Sequence, residues 1–506
     1  MASTFFGLNI ATSGINVAQA GLTVTGHNIS NENTAGYCRQ QIGQTAAQAL
    51  RFYASYGMVG SGVSATGIEQ IRDSYYDVKY RNNEAKLGEY TSKYKYAIQI
   101  EDYFNEMETE GFTKEFENLF AALSSLEGNP SELTYRTEFL NYCQSIADYF
   151  NDIQVKLSDL QLETNTEVSN MVERINNISE QVASLTKQIN TVELTGVKAN
   201  DLRDKRELLL DELSLIVPIN TSEVPGRNGN SEFYVQIGGI TIVDTYDSFA
   251  LEIREREGAM NSMDAPGMYD IYYQGSKFDA YAMDITGSLR SVMDIRDGNN
   301  GTVETDNDRC EPIKHKGIPY YTNKIQHFKE VIAKEFNDIH QKTTRIDENG
   351  NEVPANYNLY GDTTEDIPIF IISSTGVMSV NTKLLDDPAL MAASSYPIQN
   401  GVEDSGLLKE LINVKNKKVF NNYDAESFLQ SIVTEIGVDV KKSESFGKNY
   451  ENLKQGIKNQ RMSVSGVDGD EEAMSLVKYQ EAFDLSSKMI TVMQQIYDKL
   501  INEMGV

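Results

Sequence analysis

Residues 1–31 read MASTFFGLNIATSGINVAQAGLTVTGHNISN and contain no Asp, Glu, Lys or Arg. Their apolar side chains recur alternately every three and four residues, the spacing of a narrow stripe on a helix that packs against a partner helix. The stripe consists of Leu8, Ala11, Ile15, Ala18, Leu22, Thr25 and Ile29. A helix in an ordinary hairpin normally exposes a charged face, so we favour burial of this uncharged helix among several neighbours.

The uncharged segment fits neither a signal peptide nor a membrane span. It has no basic region before an apolar block, and polar side chains and four glycines interrupt it. Those polar groups would be unfavourable in hydrocarbon. We therefore expect no membrane insertion, and export would need a route other than a cleaved signal.

The C-terminal segment carries a matching heptad pattern. Its two series are Leu476, Phe483, Ile490 and Tyr497, and Tyr479, Ser486, Met493 and Leu500. Acidic residues between Asp468 and Glu472 mark the start of this helix, because carboxylates accept hydrogen bonds from free backbone N–H groups and complement the helix dipole. The N- and C-terminal helices are predicted to form a coiled coil.

Length and charge narrow the class of protein. A chain of 506 residues is expected to form two to four domains, and its 40% hydrophobic content suffices for their cores. The net charge of -29 argues against nucleic-acid binding, which needs clustered Lys and Arg. Three cysteines, Cys38, Cys143 and Cys310, lie far apart and indicate no disulfide framework.

The middle of the chain alternates between helical and β patterns. Apolar spacing from Ile153 to Val192 predicts a long rod-like helix, broken at Thr195 and Gly196. Asn200 is then expected to cap a second helix that ends before Pro218.

Alternating runs predict β structure beyond Pro218. The predicted strands and turns are Phe233–Ile237 and Ile240–Ile242 around Gly238-Gly239, Tyr269–Tyr273, a turn at Asn349-Gly350, and Ile367–Ile372. Helical patterning returns from Ala425 to Gln460.

The predicted fold class is multidomain and mainly α with inserted β domains, in which a terminal coiled coil leads into a long helical-bundle rod with β-rich domains farthest out. The predicted domains are a terminal coiled-coil assembly domain (1–45 and 468–506), a helical rod (46–216, 286–342 and 413–467), a β-rich insertion (217–285) and a second irregular or β insertion (343–412).

No motif of enzyme chemistry is present. The four histidines, His27, His315, His327 and His340, lack the spacing of metal ligands, and there is no nucleophile elbow, Walker loop or dinucleotide fingerprint. The acidic stretch from Asp294 to Asp308 lacks the residue order of a calcium loop. We expect no catalytic, metal-binding or cofactor-binding site and no enzyme activity.

One polar segment stands out, from Asn28 to Tyr37 (NISNENTAGY). Asn and Gly here predict a sharp helix end, since both tolerate left-handed backbone conformations. A generic helix–loop junction explains the residue types. The number of amides suggests the further hypothesis that they form hydrogen bonds between neighbouring subunits.

This segment resembles the N-x-x-N-x-N-T-x-G-Y signature of the rod and hook family of flagellar axial proteins. The matching residues are Asn28, Asn31, Asn33, Thr34, Gly36 and Tyr37, followed by Arg39-Gln40, Gly62-Val63, Ile68, Arg72-Asp73 and Tyr76. Cys38 departs from the pattern, which usually has a small hydroxyl residue there. Further segments resemble the hook-associated members of the family: Asn200–Arg206, Gly287–Asp297, Ile318-Pro319, Asn337, His340, Ser463–Gly466, Glu471-Glu472 and Tyr479-Gln480.

The resemblance implies a structural subunit of the bacterial flagellum, an adaptor at the hook–filament junction. It implies export, unfolded, by the flagellar type III system to the cell exterior, with disordered termini that fold on incorporation. The implied partners are further copies in a ring or short helical assembly, the hook protein, hook-associated protein 3 and the filament side, and an export chaperone at the C-terminal helix.

We predict that the assembly interface lies in the two terminal helices and the polar segment. Its residues are Leu8, Ala11, Ile15, Ala18, Leu22, Thr25, Asn28, Ile29, Asn31, Asn33, Thr34, Gly36, Tyr37, Leu476, Tyr479, Phe483, Ile490, Met493, Tyr497 and Leu500.

Three alternatives remain. A hook or distal rod protein shares the N-terminal signature, but the long helical middle disfavours it. A membrane chemoreceptor would need an apolar span of about 20 residues, and a secreted hydrolase on a helical stalk would need a convergent catalytic set.

Overall fold

The structure is a computed structural model that describes residues 6–51, 58–104, 112–226, 230–280, 283, 285–298, 316–346, 352–396 and 404–502. Its α-helices are α1 Phe6–Ser30, α2 Ser74–Tyr103, α3 Phe112–Gly128, α4 Leu133–Glu193, α5 Asn200–Ile216, α6 Ser288–Asp297, α7 Ile318–His340, α8 Thr382–Asp386, α9 Gly406–Asn413, α10 Ala425–Ser465 and α11 Gly469–Asn502.

The strands form small antiparallel sheets. They are β1 Gln40–Ala46, β2 Leu50–Arg51, β3 Met58–Val59, β4 Val63–Gln70, β5 Asn220–Pro225, β6 Ser231–Ile237, β7 Ile240–Asp244, β8 Asp247–Ser248, β9 Leu251–Glu255, β10 Tyr269–Tyr273, β11 Ser276–Lys277, β12 Thr344–Ile346, β13 Glu352–Pro354, β14 Phe370–Ile372 and β15 Met378–Val380. The sheet orders are β1-β4, β2-β3, β5-β6-β7-β8, β9-β10-β11, β12-β13 and β14-β15. A mainly helical fold with small inserted sheets is confirmed.

The helix α4 is the longest of the described helices, and we call it the spine. It has 61 residues, which at 1.5 Å per residue extend about 90 Å. It begins well before Ile153, the predicted start, because Phe139, Cys143 and Phe150 continue the buried stripe toward the N-terminus. At its other end Val192 is exposed, contrary to the prediction.

Asparagines on α4 fasten the β regions to the spine. In each case the side-chain amide donates to a backbone carbonyl and accepts from a backbone N–H, as a neighbouring strand would. Asn190 bonds Ser231 in this way at 2.8 and 2.9 Å, Asn176 bonds Leu251 at 2.8 and 2.8 Å, and Asn151 bonds Met378 at 2.7 and 3.0 Å. A polar side chain on a helix thus satisfies backbone groups that would otherwise be unpaired.

The helices α2 and α10 pack along one another and return the chain to its starting end. The ring of Tyr90 on α2 stacks on Phe446 and Tyr450 of α10, with centroid distances of 4.9 and 5.6 Å. An ion pair of 3.1 Å between Glu84 and Lys454 lies farther along the same contact.

Several local predictions need correction. Asn200 is the first residue of α5 rather than its cap, because its amide donates to Gln40 and to the carbonyl of Ile68. Within Ile367–Ile372 only the last three residues form a strand. The Gly238-Gly239 hairpin is confirmed. The Asn349-Gly350 turn, Cys310 and His315 lie outside the described residues.

None of the described helices combines the length and apolar character that crossing a bilayer requires.

His340 joins the end of α7 to the second insertion. Its Nδ1 lies 2.7 Å from the carbonyl oxygen of Ile367, and its Nε2 accepts a hydrogen bond of 2.9 Å from the N–H of Ala392. Since a carbonyl requires a proton on Nδ1, the ring is the neutral Nδ1–H tautomer. Burial lowers the pKa of His340 to about 4.

We expect acid to destabilise this region through His340. The unfolded chain takes up the proton near the ordinary pKa of about 6.5, whereas the folded chain resists protonation down to about 4. Stability is therefore lost as pH falls between these values, by about 3 kcal/mol for this group. Hydrogen exchange of α7 amides at pH 7 and pH 4.5 measures the loss. His340→Gln should be less stable at pH 7 but lose less on acidification, and an equal acid loss in both proteins would contradict the prediction.

Candidate assembly interface

The two terminal helices pack antiparallel along a seam of small residues. A methyl group built on Gly21 would lie 2.6 Å from Cδ1 of Tyr479, and one on Gly14 would lie 2.7 Å from Oγ of Ser486. Gly7 faces Met493 in the same way. The glycines are seven residues apart, as are their partners, so the backbone of α1 approaches α11 closely at every second turn.

Part of the predicted stripe on α1 lies at this seam. Ala11, Ala18 and Thr25 are buried, Leu8, Ile15 and Leu22 are half-buried, and Ile29 is exposed. Sequence reasoning treated the glycines only as interruptions of the apolar segment, although their spacing of seven was a signal for this contact.

The predicted stripe on α11 is half-buried along most of its length. Its half-buried members are Leu476, Tyr479, Phe483, Ser486, Ile490, Met493 and Tyr497, whereas Leu500 is exposed. Three of these residues, Tyr479, Ser486 and Met493, face the glycines of α1 in the same chain.

A two-stranded ribbon formed by β1 and β4 covers another side of α1. Ser13 accepts a hydrogen bond of 3.2 Å from the N–H of Val63, and Val17 and Val24 are buried. Within one chain, α11 and the ribbon thus already bury α1 on two sides, which is part of the burial expected from the sequence. The side of α1 that stays exposed is polar and uncharged and consists of Asn9, Thr12, Asn16, Gln19 and Thr23.

The polar segment after α1 ends the helix as predicted. Gly36 has a φ of 78°, a conformation that favours glycine. Asn28 is 1% exposed; its amide donates to the carbonyl of Gln40 at 2.9 Å and accepts from the N–H of Gln40 at 3.0 Å and the hydroxyl of Tyr37 at 2.7 Å. The side chain of Asn28 therefore organises the turn of its own chain.

The other predicted residues of this segment are more accessible. Asn31 donates to the carbonyl of His27 and accepts from the hydroxyl of Thr34, so its amide also acts within the chain. Asn33, Thr34 and Gly36 are exposed.

Beside this turn lies a closed ring of alternating charges, which we call the arginine–carboxylate ring. Its members, in order, are Arg72, Asp77, Arg461, Asp211, Arg81 and Glu207, with N–O distances of 2.7, 2.9, 2.5, 2.9, 2.5 and 3.5 Å around the circuit. Burial alone would raise the pKa of Glu207, but the adjacent arginines Arg81 and Arg72 outweigh it and hold that pKa at about 2.

The ring joins segments that are far apart in sequence. Two members come from α2, two from α5, one from α10, and Arg72 from the link between β4 and α2. Asp204 on α5 extends it, accepting a hydrogen bond of 3.0 Å from the N–H of Cys38. Sequence reasoning found Arg72 and the α5 segment only as matches to a signature and missed their convergence.

A second pairing fixes the start of α11. Arg39 contacts Glu471 at 2.8 Å and the buried Glu472 at 2.7 Å, and its N–H donates to the carbonyl of Ser465 at 2.8 Å. A residue in the link between α1 and β1 therefore fixes the break between α10 and α11.

Other candidate chemical groups are engaged in packing. Burial raises the pKa of Cys38 to about 12, so its thiol is a poor nucleophile near neutral pH. His27 lies 3.0 Å from the hydroxyl of Tyr37, and His327 packs against Phe420 and Phe428. Within the described ranges no three His, Cys, Asp or Glu side chains are placed to hold a metal ion.

The outer side of α11 carries a second apolar stripe that sequence reasoning missed. Its members are Leu485, Met489, Val492 and Ile496, which are 65, 37, 52 and 44% exposed. They are spaced by four, three and four residues, the pattern of a helix that packs against a partner helix. The neighbouring stripe has the stronger heptad pattern and masks this one in the sequence.

Comparison with known proteins gives consistent matches. Residues 97–353 match the family model of the flagellar hook-associated protein FlgK helical domain, and residues 458–503 match that of the flagellar basal body rod FlgEFG protein C-terminal region. Flagellar hook-associated protein 1 of Bacillus subtilis (strain 168) is 26% identical over 527 residues, covering 100% of this chain and 99% of that protein. The Escherichia coli (strain K12) protein of the same name is 24% identical and covers 98% and 99%.

One solved structure is similar in fold. It is that of the flagellar hook junction protein FlgK from Burkholderia pseudomallei, with a TM-score of 0.54 and 13% sequence identity, covering 77% of this chain and 100% of that chain.

Two glycines on α1 provide a matched test of the seam. Alanine improves the intrinsic stability of a helix equally at both sites, by about 0.5–1 kcal/mol. At Gly26 a methyl group meets nothing within 4 Å, whereas at Gly21 it meets the ring of Tyr479. Gly21→Ala should therefore reduce the hydrogen-exchange protection of α1, with an overpacking cost of about 1–3 kcal/mol, and Gly26→Ala should not. Equal protection in both variants would contradict the close approach.

Breaking the arginine–carboxylate ring should destabilise the junction it holds. Glu207→Gln leaves Arg81 and Arg72 buried with too little negative charge, at a cost of about 3–5 kcal/mol. The loss is measured as faster exchange of α5 amides. Glu444→Gln is the control, because Glu444 pairs with Lys441 and Lys448 on the surface of α10 and its loss should have little effect. A comparably small effect in both variants would show that the ring does not stabilise the junction.

Proposed function

Since the chain belongs to the flagellar hook-associated protein FlgK family and is a structural protein of the hook–filament junction, we propose that copies assemble there through the pair formed by α1 and α11. The exposed second stripe on α11 is the observation that carries this proposal. An apolar stripe of heptad spacing on the outside of a helix is unfavourable in water and favourable against another helix.

The interface we propose differs from the one expected from the sequence. Tyr479, Ser486 and Met493 of the α11 heptad series face α1 of the same chain. We therefore propose that the contact between copies is made chiefly by the exposed residues Leu485, Met489, Val492 and Ile496. Full burial of one such side chain stabilises by about 1.5–3 kcal/mol. A few of them offset part of the cost of association.

On α1 the matching surface is the flank formed by Leu8, Ile15, Leu22 and Ile29. These residues repeat every seven positions and are half-buried or exposed in the single chain. A contact between the α11 stripe of one copy and this flank of the next joins two different surfaces. Such head-to-tail contacts generate rings or helical arrays, which leave two unlike rims for two different neighbours.

Among the asparagines of the polar segment, we propose Asn33 as the one that forms a hydrogen bond to a neighbouring subunit. The amides of Asn28 and Asn31 bond within the chain, whereas Asn33 is exposed at the tip of the turn. The contact with a neighbouring subunit would also depend on the shape of this turn, which is set by Thr34, Gly36 and Tyr37.

Further partners follow from the resemblance. We propose contacts with the hook protein on one rim and with hook-associated protein 3 and the filament side on the other. We also propose type III export to the cell exterior and a chaperone at the C-terminal helix. The division into terminal, rod and inserted domains at the boundaries given above is likewise proposed.

The alternative of a hook or distal rod protein is less well supported. The match over residues 458–503 fits rod proteins equally, but the match over residues 97–353 is to the helical domain of FlgK.

Charge on the α11 stripe should block assembly. In cells whose own copy is deleted, the double variant Leu485→Glu and Val492→Glu should be exported yet fail to hold filaments, because two carboxylates would be buried without partners. The readout is flagellin released into the medium, expected to rise at least tenfold. Gln495→Glu, on an exposed position of the same helix, should leave filaments attached. Firm attachment in the double variant would refute the proposed interface.

A further inference from the structure

The first 68 residues of the chain are almost free of charge. They contain three charged side chains, Glu32, Arg39 and Arg51, although the whole chain has 45 Lys and Arg and 74 Asp and Glu in 506 residues. The uncharged region therefore extends past α1 through nearly all of the β1–β4 ribbon. In a chain with a net charge of -29, this part repels other copies least.

The ribbon is fixed along one side of α1. At one end the backbone of Gln40 bonds Asn28, and at the other the N–H of Val63 bonds Ser13. Gly62 has a φ of 111°, and a methyl group there would lie 3.4 Å from Cα of Ile10. The position of the ribbon relative to the terminal helices is therefore defined, and the ribbon forms one continuous surface with them.

Among the residues that the structure describes, little covers the rest of the ribbon. Residues 64–69 of β4 and 44–46 of β1 are exposed, including Ile68. In the described part of the chain, β1 and β4 pair only with each other, and neither outer edge bonds a third strand. On β4 the carbonyl of Ile68 accepts a hydrogen bond from the side chain of Asn200. A lone two-stranded ribbon is only marginally stable in water, and open edges are sites for further pairing.

We propose that the β1–β4 ribbon is a docking surface for a second copy of this chain. This rests on the proposed function and adds a contact separate from the α11 stripe. The exposed ribbon is rich in amide, hydroxyl and small side chains, such as Gln44, Thr45, Ser64, Ala65 and Thr66. A partner suited to such a surface is neutral and able to form hydrogen bonds. The chain's own first 68 residues supply that surface, with Asn9, Thr12 and Asn16 exposed on α1.

Photocrosslinking in cells tests this contact. The amino acid p-benzoyl-phenylalanine is placed singly at Ala65, at Thr45, at Leu485 and at Ser184, in the full chain, in cells that lack the native copy. Ala65 and Thr45 lie on the ribbon, Leu485 on the α11 stripe, and Ser184 on an exposed side of α4. Detached flagella are irradiated, and the covalent products are identified by mass spectrometry.

We expect covalent dimers of this chain from positions 65 and 45, and none from position 184. Dimers from position 485 without any from 65 or 45 would overturn the ribbon contact while leaving the proposed function in place. Products from 65 and 45 that join only a different protein would also overturn it, because the occupant would not be a second copy. If incorporated protein gave no dimers even from position 485, the proposed function would fail as well.

Discussion

The arginine–carboxylate ring buries three cations and three anions in one place, and every member contacts two members of opposite charge. Burying any one of these groups alone would be strongly unfavourable. The arrangement becomes acceptable only when α2, α5 and α10 are all in place, because each supplies charges that the others need. The ring therefore couples the stability of α2, α5 and α10 to one another. The turn after α1 joins it through Asp204, and the start of α11 joins the same turn through Arg39.

Periodic features could be predicted from the sequence. Apolar residues recur at a fixed spacing in the second half of α4, in the strands around Gly238-Gly239 and in the heptad series on α11. The local pattern is enough to predict these elements. The start of α4 was missed because aromatic residues such as Phe139 and Phe150 lie among polar ones and weaken the pattern.

Long-range polar contacts could not be predicted in this way. Arg72 and Arg461 are separated by most of the chain, and nothing near either residue indicates that both contact Asp77. The seam between α1 and α11 depends on Gly14 and Gly21, which add nothing to a hydrophobic pattern and are recognisable in the sequence only by their spacing of seven. Sequence pattern also does not show that α1 of the same chain covers part of the stronger stripe on α11, at Tyr479, Ser486 and Met493.

The asparagines of α4 have a consequence for how this protein can vary. Asn176 and Asn190 bond the main chain of Leu251 and Ser231 and not their side chains. Apart from the bond that Asn190 also donates to the hydroxyl of Tyr246, the attachment uses peptide groups and depends little on which residues it holds. The outward surface of the first insertion can therefore diverge between strains, or accept a grafted loop, while the spine that carries it stays the same.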